Sequence, residues 1–334
     1  MPATIRDIKA ETGLSLATIS KYLNGGNVLP ENRVKIENAI KKLHYEVNEI
    51  ARGLVTNRTR TVGVVVYSVE SLFNGTLLHH IGNALRKEKY GILICDSCND
   101  RKIEAENIRF LLNKKVDGMI VVPVSRKAGF LKPAKDAGVP VVLLDRSLED
   151  EEFDCVKINN RAAAFRAVNL LLQNNHRKIA VICADSENEY TGYERYQGYL
   201  EAMNRAGISV PEEYKKRGVH SIEFGQRSMR QLIELKDPPT AVFMSNYEIT
   251  LGAVMALNES GKRCPEDISM LGFDDLILSH LVKPQIYMVV QPMKEMSEKA
   301  VEILMSRIGS GGEALPVEIV VGTKIREGDS IAKL

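Results

Sequence analysis

The residues best placed to do chemistry lie between Gly13 and Asn24. A helix begun by Ser15 turns Leu16, Ala17, Thr18, Ser20 and Lys21 outward, because Ile19 and Leu23, four apart, take the opposite face. Small, hydroxylated and basic side chains on one exposed face make hydrogen bonds to phosphates and base edges; they do not break bonds. No pattern for bond-breaking chemistry accompanies them. The sequence has no phosphate loop, dinucleotide glycine fingerprint, nucleophile elbow or zinc-protease helix. Gly309-Ser310-Gly311-Gly312 follows a helical stretch and precedes Pro316, as a loop does. The 6 histidines lack ligand spacing, and the adjacent His79 and His80 cannot share one helix face. Cys95-Asp96-Ser97-Cys98 has redox or metal-like spacing, but no second Cys/His pair lies close in sequence, which favours a structural role. The expectation is no catalytic residue, no metal and no cofactor.

Three helices are needed to position that face. Thr4 and Asp7 have the spacing to satisfy orphan amides at a helix start, and Ile5 and Ile8 supply its apolar stripe. Gly13 permits a tight turn and Ser15 caps the second helix. Pro30 suits a first helical position, with Ile36, Ala39, Ile40 and Leu43 at helical spacing behind it. Two short helices joined by a glycine turn, the second presenting a polar face, read as helix-turn-helix. Beyond them Asn48 can cap a short helix through Leu54, and Thr56–Thr61 is polar and basic, as a domain boundary should be.

From Thr61 the pattern changes. The apolar runs Val62–Val66, Ile92–Cys95, Gly118–Val122 and Val139–Leu144 alternate with amphipathic stretches. The scheme then repeats with Ile179–Ile182, Ala241–Met244 and Ile268–Leu271. Continuous apolar strands between helices indicate parallel sheets covered on both faces, and two successive α/β halves suggest two lobes with a cleft where strand ends meet.

Composition agrees with this division. A chain of 334 residues, 44% hydrophobic and 26% charged, suits a small domain followed by a larger bilobed one. Its net charge of +2 conceals +4 over residues 1–60 and −2 over the remainder, which suits a polyanionic partner for the first part. No apolar run approaches the roughly 18–20 residues of a membrane span, and no signal-peptide core follows Met1, so a cytoplasmic protein with reduced thiols is expected.

Thr4-Ile5-Arg6-Asp7-Ile8, Leu14-Ser15-Leu16-Ala17-Thr18-Ile19-Ser20, Leu43-His44-Tyr45 and Asn48-Glu49-Ile50-Ala51-Arg52-Gly53-Leu54 closely resemble the headpiece and hinge of the lactose/purine repressor family, and the resemblance continues in order to Asp329. It implies a helix-turn-helix headpiece over 1–46, a hinge helix and linker over 47–60, and a bilobed, periplasmic-binding-protein-like α/β domain with two parallel doubly wound sheets over 61–334. The first lobe is expected at about 61–158 plus 288–320 and the second at about 159–287 plus 321–334, the chain crossing between them three times.

By that resemblance Leu16, Ala17 and Lys21 are base-edge positions, while Thr4, Ser15, Thr18, Ser20 and Asn24 serve phosphates or caps. Lys21 stands where members often carry Arg or His, and so donates to guanine without the arginine fork. Asn48, Ala51 and Leu54 are the hinge contacts, with Leu54 wedging into the minor groove; an ordinary apolar role in a linker helix is the alternative. Val47 replaces a usual Pro, and Gly53 costs the hinge helix roughly 1 kcal/mol, so this hinge is expected to depend more heavily on DNA to fold.

The family's effector positions fall on Phe73 and Asn74 in the loop after the first strand, and on Arg146, Asn160, Arg195, Asn246, Tyr247, Asp274 and Gln291. Arg195 can clamp an oxygen, Asp274 can accept ligand protons and Phe73 can stack; equally, Arg195 and Asp274 can pair with each other across the cleft and Phe73 can belong to the core. Tyr247 and Asn159 replace aspartates found in sugar-responsive members, which with two nearby arginines tilts the expectation toward an acidic or phosphorylated ligand. The implied protein is a non-enzymatic transcriptional regulator, most simply a repressor, binding double-stranded pseudo-palindromic operator DNA as a homodimer. No heptad tail for a tetramer follows the last strand. A small effector (sugar, sugar acid or sugar phosphate) controls it, in either direction; a phosphorylated carrier-protein corepressor is the alternative. A solute-binding protein or sugar-modifying enzyme is the rival, opposed by the headpiece and the missing catalytic set.

Overall fold

The computed structural model describes residues 3–46, 58–184, 190–276, 280–310 and 315–334. The expected hinge contacts Asn48, Ala51 and Leu54 lie outside the described residues. The chain divides into two compact units, the larger holding 62–114 and 118–334.

In the smaller unit, helices α1 (Ile5–Thr12), α2 (Leu16–Leu23) and α3 (Pro30–Leu43) bury Ile8, Ile19, Ile36 and Ala39 as a miniature core. Local chemistry sets each boundary. The Thr4 amide and hydroxyl both donate to Asp7 at 2.8 Å, holding the start of α1 and drawing the Asp7 carboxyl below its usual range. Gly13 ends α1 at φ 70°, in the left-handed region. The Thr18 amide donates to Ser15 Oγ at 3.1 Å to open α2.

The larger unit contains two six-stranded sheets. The first has the order β11-β5-β4-β3-β1-β2, from β1 (Thr61–Val66), β2 (Gly91–Asp96), β3 (Gly118–Val121), β4 (Val141–Asp145), β5 (Asp154–Ile158) and β11 (Glu318–Val321). The second has the order β12-β10-β9-β8-β6-β7, from β6 (Ile179–Ala184), β7 (Lys215–Gly218), β8 (Ala241–Met244), β9 (Ser269–Phe273), β10 (Tyr287–Val290) and β12 (Lys324–Arg326). Strands β3, β4, β6, β8 and β9 are buried throughout, as helix-covered parallel strands must be. The helices include α4 (Leu72–Lys87), α5 (Arg101–Asn113), α6 (Lys132–Asp136), α7 (Asn160–Gln173), α8 (Tyr190–Arg205), α9 (Ile222–Ile233), α10 (Tyr247–Ser260) and α11 (Met293–Ser310).

Three details depart from expectation. The second sheet is not wholly parallel, since β12 runs antiparallel to β10. Only two residues separate β11 from β12, so the chain enters the second sheet with no helix to reverse it. Because β10 pairs with β9, the return crossover follows Val290 instead of starting at 288, and Val321, paired with Ile158, stays in the first sheet. Phe73 and Asn74 stand in the first turn of α4, not in a loop.

Candidate functional site

On the headpiece, Leu16, Ala17 and Lys21 are exposed along α2, and Thr4, Ser15 and Asn24 are exposed as well. Thr18 and Ser20 are half-buried. Thr4, Ser15 and Thr18 take part in the cap bonds described above, and Asn24 Nδ2 donates to Ser20 Oγ at 3.3 Å. Lys21 is held from behind. The Gly26 amide donates to the Lys21 carbonyl at 2.7 Å, and a Cβ at Gly26 would lie 2.6 Å from Lys21 Cγ. The lysine stem therefore rests against a backbone that only glycine leaves bare.

In the larger unit, the expected effector residues gather at carboxyl ends of strands in both sheets. Arg195, from α8, is buried and donates from Nε to Asn160 Oδ1 at 2.8 Å, and from Nη1 to the Ser245 carbonyl at 2.6 Å and to Asp274 Oδ2 at 3.0 Å. Its guanidinium lies 3.7 Å from the centre of the Phe273 ring. Asp274, directly after β9, has φ 68° and accepts at Oδ1 from Gln291 Nε2 at 2.5 Å. Asn160, Arg195, Asp274 and Gln291 are thus one connected buried network. Gln291 begins the crossover between the two sheets. The Arg195–Asp274 pair does form, though within one lobe and not across the cleft.

In the other lobe Asp145 ends β4 at φ 75°, and Arg146 faces its Oδ2 at 3.4 Å while lying 5.3 Å from the Tyr67 ring centre. Burial pushes the Asp145 carboxyl above its usual range, opposed by the charges of Arg146 and Arg195, while the Asp274 charge raises it further. Those couplings mark the place where the lobes face each other. Asn74 is fully buried and donates to the Ser68 carbonyl at 2.7 Å. Asn246 caps α10 through the Ile249 amide at 3.0 Å and donates to Glu248 at 2.7 Å. Phe73 joins the hydrophobic core, the alternative to stacking, and Tyr247 is buried in that core too.

Residues not anticipated from sequence also belong here: Asp145, Tyr67, Ser245, Phe273 and the fully buried Glu104. Glu104 accepts from the Val124 amide at 2.6 Å, and from the Ser125 amide at 3.0 Å and hydroxyl at 2.5 Å. Asp145 had a signal, since like Asp274 it closes an apolar strand. Among the described residues no group of His, Cys, Asp and Glu could hold a metal, and no helix is long and apolar enough to cross a membrane. Cys95 is buried and Cys98 exposed, both as free thiols.

Known proteins share this architecture. A family profile described as a periplasmic binding protein-like domain matches residues 168–331. Catabolite control protein A of Priestia megaterium is 32% identical over 91% of this chain and 92% of its own length. The transcriptional repressor PurR of Pectobacterium carotovorum is 31% identical over 93% and 92%, respectively. The chain belongs to the lactose/purine repressor family. As a member of that family it is a DNA-binding transcriptional repressor and not an enzyme. Among solved structures, a complex of the regulator CelR with cellobiose has 28% identity and a TM-score of 0.74, covering 98% of this chain and 99% of that one. The lac repressor dimer bound to operator and an anti-inducer superposes with a TM-score of 0.87 over 99% of this chain and 100% of that one; at 20% identity it speaks for the fold alone.

Proposed function

We propose that this repressor binds a pseudo-palindromic operator in the cytoplasm as a homodimer, and that a small molecule in the interlobe cleft sets its DNA affinity. The observation that carries the proposal is the Asn160–Arg195–Asp274–Gln291 network. It is buried, polar and attached to the crossover, so a ligand that rearranges Gln291 acts on the chain linking the lobes. In the headpiece, α2 turns Leu16, Ala17 and Lys21 to solvent above its apolar core, the placement that groove readout needs.

Dimerisation has a surface to use. Ile94 in the edge strand β2 is 46% exposed, and Leu72 at the start of α4 and Val69 just before that helix are 48% and 49% exposed. A second copy would cover these apolar side chains. Sedimentation of the purified protein tests this: a dimer in the wild type and a weakened one in Ile94→Asp are expected, and a monomer at micromolar concentration contradicts the reading. If the cleft accepts no small molecule while a phosphorylated carrier protein strengthens DNA binding, control passes to that corepressor.

A further inference from the structure

Two sheets have four edge strands, and they are guarded unequally. In the second sheet, β7 carries Lys215, Lys216 and Arg217, and β12 is the short charged run Lys324-Ile325-Arg326. Positive charge and shortness both keep an edge from pairing. In the first sheet, β2 has the apolar side chains assigned above to a second copy. The remaining edge, β11, holds no Lys, Arg or Pro, and its one charged side chain, Glu318, is turned onto Lys157 at 2.8 Å. Around it Leu315 is 86% exposed and Val320 53%, and Val317 is exposed as well. The Cys155 amide donates to the Val317 carbonyl at 2.9 Å, with Glu318 opposite Cys155 and Val320 opposite Lys157 in a parallel register. That register sends the amide and carbonyl of Ile319 to β5, and those of Glu318 and Val320 outward, where no described strand receives them.

A groove runs beside this edge because one connection lacks a helix. Helices α4, α5 and α6 join β1 to β4 in turn, but β4 passes to β5 through residues 146–153 alone. The register sets Leu143, Cys155 and Glu318 side by side on one face of the sheet, while Val142, Leu144, Val156 and Ile319 face the hydrophobic core on the other. On the first face a groove of about 670 Å³ opens, lined by apolar Leu143, Leu148, Phe153 and Pro316 and by five carboxylates, Glu149, Asp150, Glu151, Glu152 and Glu318. Arg126 pairs with Glu149, Lys135 with Glu151 and Lys157 with Glu318. Asp150 accepts from the neutral Ala128 amide at 2.8 Å, and exposed Glu152 has no partner among the described residues. Two negative charges therefore stay unmatched beside an open apolar edge.

We propose that β11 and this groove dock an extended basic segment of another protein, added to the first sheet as a further strand. Main-chain bonds to Glu318 and Val320 supply its affinity. Its side chains alternate, with Lys or Arg toward the carboxylates of the groove and apolar residues toward Val317 and Ile319. A second copy of this chain has the wrong charge, since two β11 edges paired about a two-fold axis set one acidic groove against the other.

The test is fluorescence anisotropy of a labelled synthetic peptide, Lys-Val-Arg-Leu-Lys-Val-Arg, titrated with the full chain at low salt. It should bind about tenfold tighter than a counterpart with Glu at every basic position, and than a peptide of the same composition with its basic residues grouped at one end. Glu152→Lys reverses an exposed, unpaired charge, and Val320→Pro removes only an outward amide. Each should weaken binding about fivefold, with sedimentation and affinity for a selected duplex as in the wild type. If Val320→Pro does not fold, Glu152→Lys decides with the three peptides. Absence of binding overturns the proposal, as does equal binding of the alternating peptide and either control, or indifference to the variants. Wild-type chains that assemble beyond a dimer, and less so in Val320→Pro, give the edge to a second copy and overturn it too.

Discussion

Arg195 and Asp274 form a buried ion pair at 3.0 Å, and the same carboxylate holds Gln291 through its other oxygen. Removing one partner leaves the other charge stranded in low dielectric. Arg195→Ala should therefore cost about 3–5 kcal/mol of stability, while Arg195→Ala combined with Asp274→Ala should cost clearly less than the sum of the two single changes. Urea unfolding of the four proteins measures this. Additive losses would show that the pair is not coupled. A fall in ligand affinity in Arg195→Ala alone cannot be assigned to a lost ligand contact until this folding cost is separated from it.

Lys21 should read one base pair per half-site. Lys21→Ala is expected to weaken specific binding by about 1–3 kcal/mol and relax preference at that pair, measured by anisotropy on a selected duplex and its single-base variants. Because the lysine stem lies against Gly26, Gly26→Ala should relax the same position, and the double variant should lose little beyond Lys21→Ala. A loss uniform across all sequences would make Lys21 a phosphate contact.

His176 gives the fold a pH dependence. Its Nε2 faces the Ala332 carbonyl at 3.0 Å, which only accepts, so Nε2 carries the proton and Nδ1 faces the Thr240 hydroxyl at 2.9 Å. Burial lowers the His176 pKa below its ordinary value of 6.5, against the bond to Ala332, which raises it. A group depressed on folding contributes stability above its unfolded pKa and loses it as pH falls through the folded value. The urea midpoint should fall on acidification from about pH 6.5, before most carboxylates titrate, and His176→Gln should flatten that slope. An unchanged slope would assign the effect elsewhere.

Helices α9 and α10 approach through glycine. A Cβ on Gly252 would lie 1.9 Å from the Ile222 carbonyl oxygen, and one on Gly225 would lie 2.4 Å from that of Ile249. Backbone cannot yield as a side chain does, so Gly252→Ala should cost about 1–3 kcal/mol or more by thermal unfolding. A neutral substitution would mean the two helices separate freely.

The sequence disclosed what depends on local spacing. Thr4 with Asp7, Gly13 and Ser15 mark helix ends within three or four residues, and the Ile8–Ile19–Ile36 core follows from periodicity. The buried parallel strands were equally plain. Contacts made across long separations were hidden. Phe73 turned to the core because α4 begins a turn earlier than a loop reading allows. Asp145 looked like an ordinary strand end, and its importance appears only where Arg195, 50 positions later, comes into range. Strand β12 is three residues long, too short to declare its direction.

The central claim is that cleft and operator are linked. The direct measurement is operator affinity, by anisotropy on a selected duplex, with and without a cleft-binding compound, paired with the compound's own affinity with and without that duplex. Both affinities should change by one common factor, roughly 5–150-fold for a coupling of about 1–3 kcal/mol. A compound that saturates the cleft while leaving operator affinity unchanged would contradict the account.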